Sequence, residues 1–179
     1  TREISRGMAA SRDAAAEAPL ANVTTRSMEA YKYYLEGREN DDKLYYAEAR
    51  NAFEKAVDLD PNFAMAYYYL ALANAGLLNS EARNTALKRA KALSNKATEK
   101  ERLRIEEYYA RRIENDPEKA FRLLRQLAEK YPKEKEIIFD LGLRYRSRGD
   151  TIRASKEFSR ALDLDPNYGA ALNSLGYEY

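Results

Sequence analysis

Apolar residues along this chain recur three and four apart in blocks separated by polar, turn-forming residues. The clearest block covers residues 136–167, EIIFDLGLRYRSRGDTIRASKEFSRALDLDPN. Ile138, Leu141, Gly142 and Tyr145 fall on one face of a first helix, and Ala154, Phe158 and Ala161 on one face of a second. Gly142 and the two alanines carry almost no bulk, so the helices can approach closely while Tyr145 and Phe158 fill the space beside them. Gly149 suits the turn between the two. Pro166, which has no N–H and disfavours a helical residue before it, ends the second. The pattern predicts a helical hairpin that buries too little to stand alone and needs neighbours stacked on it.

Those neighbours follow by subtraction. Thirty-four residues before Pro166, Ala154 and Phe158 stand Pro132, Ala120 and Leu124, and thirty-four after Leu141, Gly142 and Tyr145 stand Leu175, Gly176 and Tyr179. Ala49, Phe53, Ala56 and the run from Asp58 to Asn62 recur as Ala154, Phe158, Ala161 and the run from Asp163 to Asn167 at an offset of 105, three periods and a three-residue insertion. A period of 34 with this alternation of small and large residues resembles the tetratricopeptide repeat. The resemblance implies an all-α fold, a right-handed superhelical solenoid of about four hairpins plus a trailing helix.

Residues 1–26 read as an N-terminal helix and linker, and residues 27–179 as the repeat domain, with repeats over 27–61, 62–97, 98–132 and 133–166 and a partial one over 167–179. Ser27 is the expected N-cap of a helix starting at Met28, whose inner stripe is Tyr31, Tyr34, Leu35 and Arg38. On that register the turn near Glu39 to Lys43 is about two residues longer than standard, and the second helix runs from Leu44 to Leu59. Asn62 is the expected cap of the next hairpin, with Tyr67, Leu70, Ala71 and Asn74 inside, followed by Leu87 and Ala90. Arg83 stands in the place of Ala154, which predicts a rotated or loosely packed helix. Thr98 and Glu101 form a capping box, and Asp116 with Pro117 an N-cap and first-turn proline. Glu107 and Tyr108 replace the Leu-Gly pair, predicting a shift of register. Leu172, Leu175 and Tyr179 form an apolar stripe whose cover is expected from a second copy or from further chain. Starting at Thr1 and stopping in mid-repeat, the sequence reads as a fragment.

Composition narrows the chemistry. The 179 residues are 34% charged and 45% apolar, with no apolar run near the roughly 20 residues of a membrane-spanning helix. With no Cys and no His, disulfides, Cys nucleophiles, Ser-His-Asp triads and the usual zinc sites are excluded. Neither a Gly-rich phosphate loop nor a paired-carboxylate motif is present, so no enzymatic activity, cofactor or metal is expected. Net charge is +2, from 31 basic and 29 acidic side chains, which gives no global pull toward nucleic acid or anionic lipid. Arg102, Arg104, Arg111, Arg112, Arg144, Arg146 and Arg148 are interleaved with Glu101, Glu106, Glu107 and Glu114 and read as a solvated face with helical ion pairs. Glu39, Asp41 and Asp42 read as surface, and the glycosylation acceptor pattern at Asn22 to Thr24 is too common to use.

The resemblance also implies where a partner binds. In the tetratricopeptide family the stripe beside the hairpin contact lines an inner groove that takes peptides. Here it holds Phe139, Leu143 and Arg146, and by the same offsets Tyr68 and Leu72, then Ile105, Tyr109 and Arg112, then Asn173 and Tyr177. Aromatic and Arg side chains suit a binding hot spot, while the aliphatic members fit packing between neighbouring helices better. The carboxylate clamp of some family members is absent: Lys32 and Glu36, then Tyr68 and Leu72, stand in its places. The stretches TTRSMEAYKYYLEGRE and SNKATEKERLRIEEYYA are similar to tetratricopeptide regions of multidomain bacterial signalling proteins. What this implies is a non-catalytic scaffold for a protein or peptide partner within a larger regulator, in the cytoplasm or as the extracytoplasmic part of a membrane-anchored protein. The alternative is self-association into a homo-oligomer through the terminal helix.

Overall fold

Helix ends in this chain are set by local chemistry that recurs from repeat to repeat. The computed structural model describes residues 25–176, in which all extended regular structure is α-helical. The helix expected near the N-terminus, the Asn22 to Thr24 pattern, Tyr177 and Tyr179 lie outside the described residues. The helices are α1 (Met28–Asp42), α2 (Tyr46–Leu59), α3 (Ala64–Gly76), α4 (Ser80–Leu93), α5 (Glu99–Arg112), α6 (Pro117–Lys130), α7 (Lys135–Ser147), α8 (Thr151–Leu164) and α9 (Gly169–Gly176). A single 3₁₀ turn, Ser94–Lys96, follows α4.

Two compact units divide the chain, Thr1–Ile105 and Glu106–Tyr179. In the first, α1 pairs with α2, α3 pairs with α4, and α2 packs on α3. In the second, α6 packs on α7, α7 pairs with α8, and α8 packs on α9.

Ser27 Oγ accepts the Ala30 amide at 3.2 Å. Thr98 and Glu101 make the reciprocal box: the Thr98 amide donates to the Glu101 carboxylate at 2.9 Å, and the Glu101 amide to Thr98 Oγ1 at 3.3 Å. Asp116 accepts the Lys119 amide at 2.8 Å, with Pro117 in the first turn of α6. Asn62 does not cap α3, whose N-cap is Phe63. Its amide instead donates to Asp60 Oδ1 at 3.0 Å, as the Asn167 amide does to Asp165 Oδ1 at 3.0 Å. The repeated Asp-Pro-Asn run is thus an Asx turn. The other oxygen of each Asp holds an earlier helix start: Thr25 Oγ1 donates to Asp60 at 2.6 Å, and Lys135 Nζ to Asp165 at 2.5 Å.

The turn into each second helix passes through a left-handed residue: Leu44 (φ 62°), Leu78 (φ 58°), Asn115 (φ 53°) and Gly149 (φ 78°). Each lies two residues before α2, α4, α6 or α8, and each of those helices is 14 residues long. The first turn is therefore no longer than the others, and α2 starts at Tyr46 rather than Leu44. The three extra residues of the third repeat are spread over the α4–α5 connector, α5 itself and the α5–α6 turn.

Leucine pays about 1–2 kcal/mol for the left-handed conformation, and Leu44 and Leu78 are 67% and 89% exposed, so little packing offsets it. Replacing either with glycine is expected to raise stability by about 0.5–1 kcal/mol, read from the urea midpoint. An unchanged or lower midpoint would mean that the turn carries no such strain.

In two hairpins, α1 with α2 and α7 with α8, the helices touch at a glycine. A Cβ at Gly142 would stand 2.6 Å from the Phe158 ring and 3.3 Å from the Ala154 carbonyl oxygen. At an offset of 105 the same contact recurs in the first hairpin, where a Cβ at Gly37 would meet the Phe53 ring at 2.6 Å. This corrects the inner stripe of α1. Its buried residues are Ala30, Tyr34 and Gly37, whereas Leu35 is 49% exposed. Tyr34 lies 5.0 Å from Phe63, 5.6 Å from Tyr69 and 6.1 Å from Phe53. Arg38 covers that cluster with its guanidinium 4.2 Å from the Tyr69 ring centroid.

In the third repeat the bulk is exchanged between helices. Tyr108 takes the place of Gly142 and Leu124 that of Phe158, and both are buried. The expected shift of register there is not seen. In α4, Ala86, Leu87, Ala90 and Leu93 are buried and α4 stays paired with α3 despite Arg83.

Candidate functional site

The side chains left over by hairpin packing are the ones open to a partner. On α7, Ile138, Leu141 and Gly142 are buried, and Phe139, Leu143 and Arg146 lie on the adjoining stripe. Phe139 is half-buried, its ring centroid 5.4 Å from those of both Phe158 and Tyr168, so it joins α7 to α8 and to the start of α9. Arg146 is exposed and lays its guanidinium 5.4 Å from the same Phe158 ring. The structure thus gathers Phe139 and Arg146 around one aromatic side chain.

On α5, Ile105 is fully buried, Tyr109 half-buried and Arg112 exposed, with the Arg112 guanidinium 5.9 Å from the Tyr108 ring. Leu143 is half-buried and Asn173 exposed. In the first unit, Tyr68 is 5% exposed with its ring edge-on to Tyr69 at 5.1 Å, and Leu72 is half-buried. Leu172 of the terminal helix is 49% exposed and Leu175 half-buried.

Two clefts lie outside the stripe beside the hairpin contact. One, of about 510 Å³, is walled by Glu54, Tyr67, Leu70, Asn74, Ala86 and Arg89. The other, of about 300 Å³, has Arg125, Leu141, Tyr145, Glu157 and Arg160 at places 71 residues on. Asn74 stands where the other cleft has Tyr145. Its amide nitrogen donates to the Leu70 carbonyl at 2.8 Å, while Oδ1 is buried without a partner. Arg89 donates to the Pro61 carbonyl at 3.3 Å and Arg160 to the Pro132 carbonyl at 3.3 Å, each tying a second helix to the loop before its hairpin. The constant separation of 28 residues between Arg and Pro was the available clue.

The arginines divide into tied and untied groups. Arg111 Nε donates to Glu107 at 3.0 Å within one helix, and Arg148 pairs with Glu118 at 2.7 Å. Arg144 forms no hydrogen bond or ion pair among the described residues, and its Nε is buried. Burial, and then the neighbouring Arg111 charge, hold the Arg144 guanidinium below its usual pKa. Elsewhere burial pushes the Tyr34 phenol and the Asp41 carboxyl up. Glu39 pairs with Lys43 at 2.6 Å as a surface ion pair, and among the described residues no group of three or more acidic side chains could hold a metal ion. No helix among them is long and apolar enough to cross a membrane.

No protein-family model matches the chain, and neither does any curated protein. Solved structures do. PilF of Pseudomonas aeruginosa superposes with a TM-score of 0.54 at 19% identity, over 80% of this chain and 64% of that one. YrrB, described as a TPR protein with an unusual peptide-binding site, gives 0.48 at 22% identity, over 82% and 74%. MamA from Desulfovibrio magneticus RS-1 gives 0.49 at 17% identity, over 86% and 85%. At these identities the likeness speaks to the fold alone. Taken with the left-handed turns, 34 residues apart from Leu44 to Leu78 and from Asn115 to Gly149, and with the glycine-to-phenylalanine contacts, it shows a chain of tetratricopeptide-type helical hairpins.

Proposed function

We propose that this chain is a non-catalytic protein-interaction scaffold that takes a peptide or helix along the stripe beside the hairpin contact on its first helices, as part of a larger bacterial regulator. One observation carries the reading. At equivalent places 34 residues apart, Arg112 and Arg146 are exposed and Tyr109 and Leu143 half-buried, while the hairpin-facing Tyr108 and Gly142 beside them are buried. The stripe therefore offers aromatic, aliphatic and guanidinium groups that packing does not consume, the groups that dominate binding hot spots. YrrB, described as having a peptide-binding site, supports the class of ligand.

The test is selection from a displayed peptide library against the full chain. Changing Tyr109 and Arg146 together to alanine is expected to weaken the selected peptides by about tenfold or more with helical circular dichroism unchanged. Undiminished binding would refute the groove. A second reading, self-association through α9, draws on the 49% exposure of Leu172. It calls for a concentration-dependent molecular size that Leu175→Glu abolishes.

A further inference from the structure

A cavity of about 270 Å³ in the second unit uses none of the residues of the proposed groove. It is lined by Arg111 from α5, Glu118 and Phe121 from α6, and Arg144, Ser147 and Arg148 from α7, with Pro117 and Ala120 completing the wall. Two of its three guanidinium groups are fixed. Arg148 is clamped by Glu118 at 2.7 Å and by the Phe121 ring, whose centroid is 4.0 Å from its guanidinium carbon. Arg111 is held by Glu107 at 3.0 Å and lies 4.8 Å from the Tyr108 ring. The one carboxylate in the wall, Glu118, is already engaged by Arg148.

Arg144 is therefore a partly buried cation lining the cavity, with a buried Nε that has no hydrogen-bond partner; the Glu107 and Asp140 carboxylates attract it through space without a hydrogen bond or ion pair. An unpaired buried charge is costly, and the usual answer is an opposite charge in bidentate geometry. We propose that this cavity is an anion site in which the Arg144 guanidinium, flanked by Arg111 and Arg148, takes the oxygens of a single carboxylate or phosphate group. The two flanking arginines arrive pre-oriented, so little side-chain order is lost on binding. The direction in which the Arg144 pKa moves agrees: burial and the Arg111 charge outweigh the pull of Glu107 and Asp140, and the charge of an incoming anion would offset them.

The experiment follows the arginine Nε–H signals of the full chain in ¹H–¹⁵N spectra at fixed ionic strength. Sodium phosphate, sodium acetate and a hexaglutamate peptide are the separate probes. A saturable shift of the Arg144 signal is expected with at least one of them. Arg144→Gln should abolish saturation at Arg111 and Arg148, Arg144→Lys should weaken it about tenfold by losing the planar fork, and Arg125→Gln should leave it intact. Saturation by phosphate alone identifies a phosphate ligand, and saturation by hexaglutamate identifies a protein carboxylate. Saturation surviving Arg144→Gln, equal loss in Arg125→Gln, or no saturable shift with any probe overturns the site. Because Tyr109 and Arg146 take no part, the result is independent of the groove.

Discussion

Phe158→Ala is expected to cost about 3–5 kcal/mol, the largest effect of any single change considered. The ring is fully buried, and it occupies the hollow left by Gly142, whose absent Cβ would stand 2.6 Å from it. Phe139 and Arg146 rest on the same ring at 5.4 Å each. Its removal leaves a void that neither backbone can close, because Ala154 and Ala161 already bring the helices together and have nothing further to extend into the gap. Urea unfolding gives the size of the loss, and hydrogen exchange its location: the amides of α7 and α8 should lose protection before those of α3 and α4. A loss below about 1 kcal/mol would show that the hairpin does not depend on this insertion.

Gly37→Ala ranks second, with an expected cost of about 1–3 kcal/mol from overpacking. The added methyl would lie 2.6 Å from Phe53 Cε1 and 2.7 Å from Cδ1. Phe53 cannot swing aside, because Tyr34 at 6.1 Å and Tyr69 at 5.7 Å enclose it. Combining Gly37→Ala with Phe53→Leu should therefore cost less than the two single changes added together, since the smaller side chain makes room for the methyl. Strict additivity in the double-mutant cycle would disprove the contact as the source of the penalty.

These two sites also show what the residue pattern reveals and what it hides. The contact of Gly142 with Phe158, the caps at Ser27 and Asp116 and the box of Thr98 with Glu101 were readable because each depends on residues within one repeat. The register of α1 was misread because Tyr31 and Leu35 offered a more conspicuous apolar spacing than Gly37 did. A glycine marks close approach, yet it adds nothing to a count of apolar side chains. Leu44 and Leu78 carry no turn propensity, so their left-handed backbone could be found only through the spacing they share with Gly149.

Among the residues of the stripe beside the hairpin contact, spacing gives the shared helix face, but exposure along it depends on what the next element brings. Tyr168, which lies beyond α8, approaches Phe139 through a contact no single helix encodes. The cleft beside Asn74 was hidden for a related reason, since a cavity is a property of the residues around it.

The constant 14-residue length of α2, α4, α6 and α8, each preceded at the same distance by a left-handed residue, bears on how such a chain could have lengthened. A duplicated coding segment joined at that residue would leave every downstream hairpin in phase. Slippage of a few codons would be absorbed on the other side of the joint, as the third repeat has absorbed it.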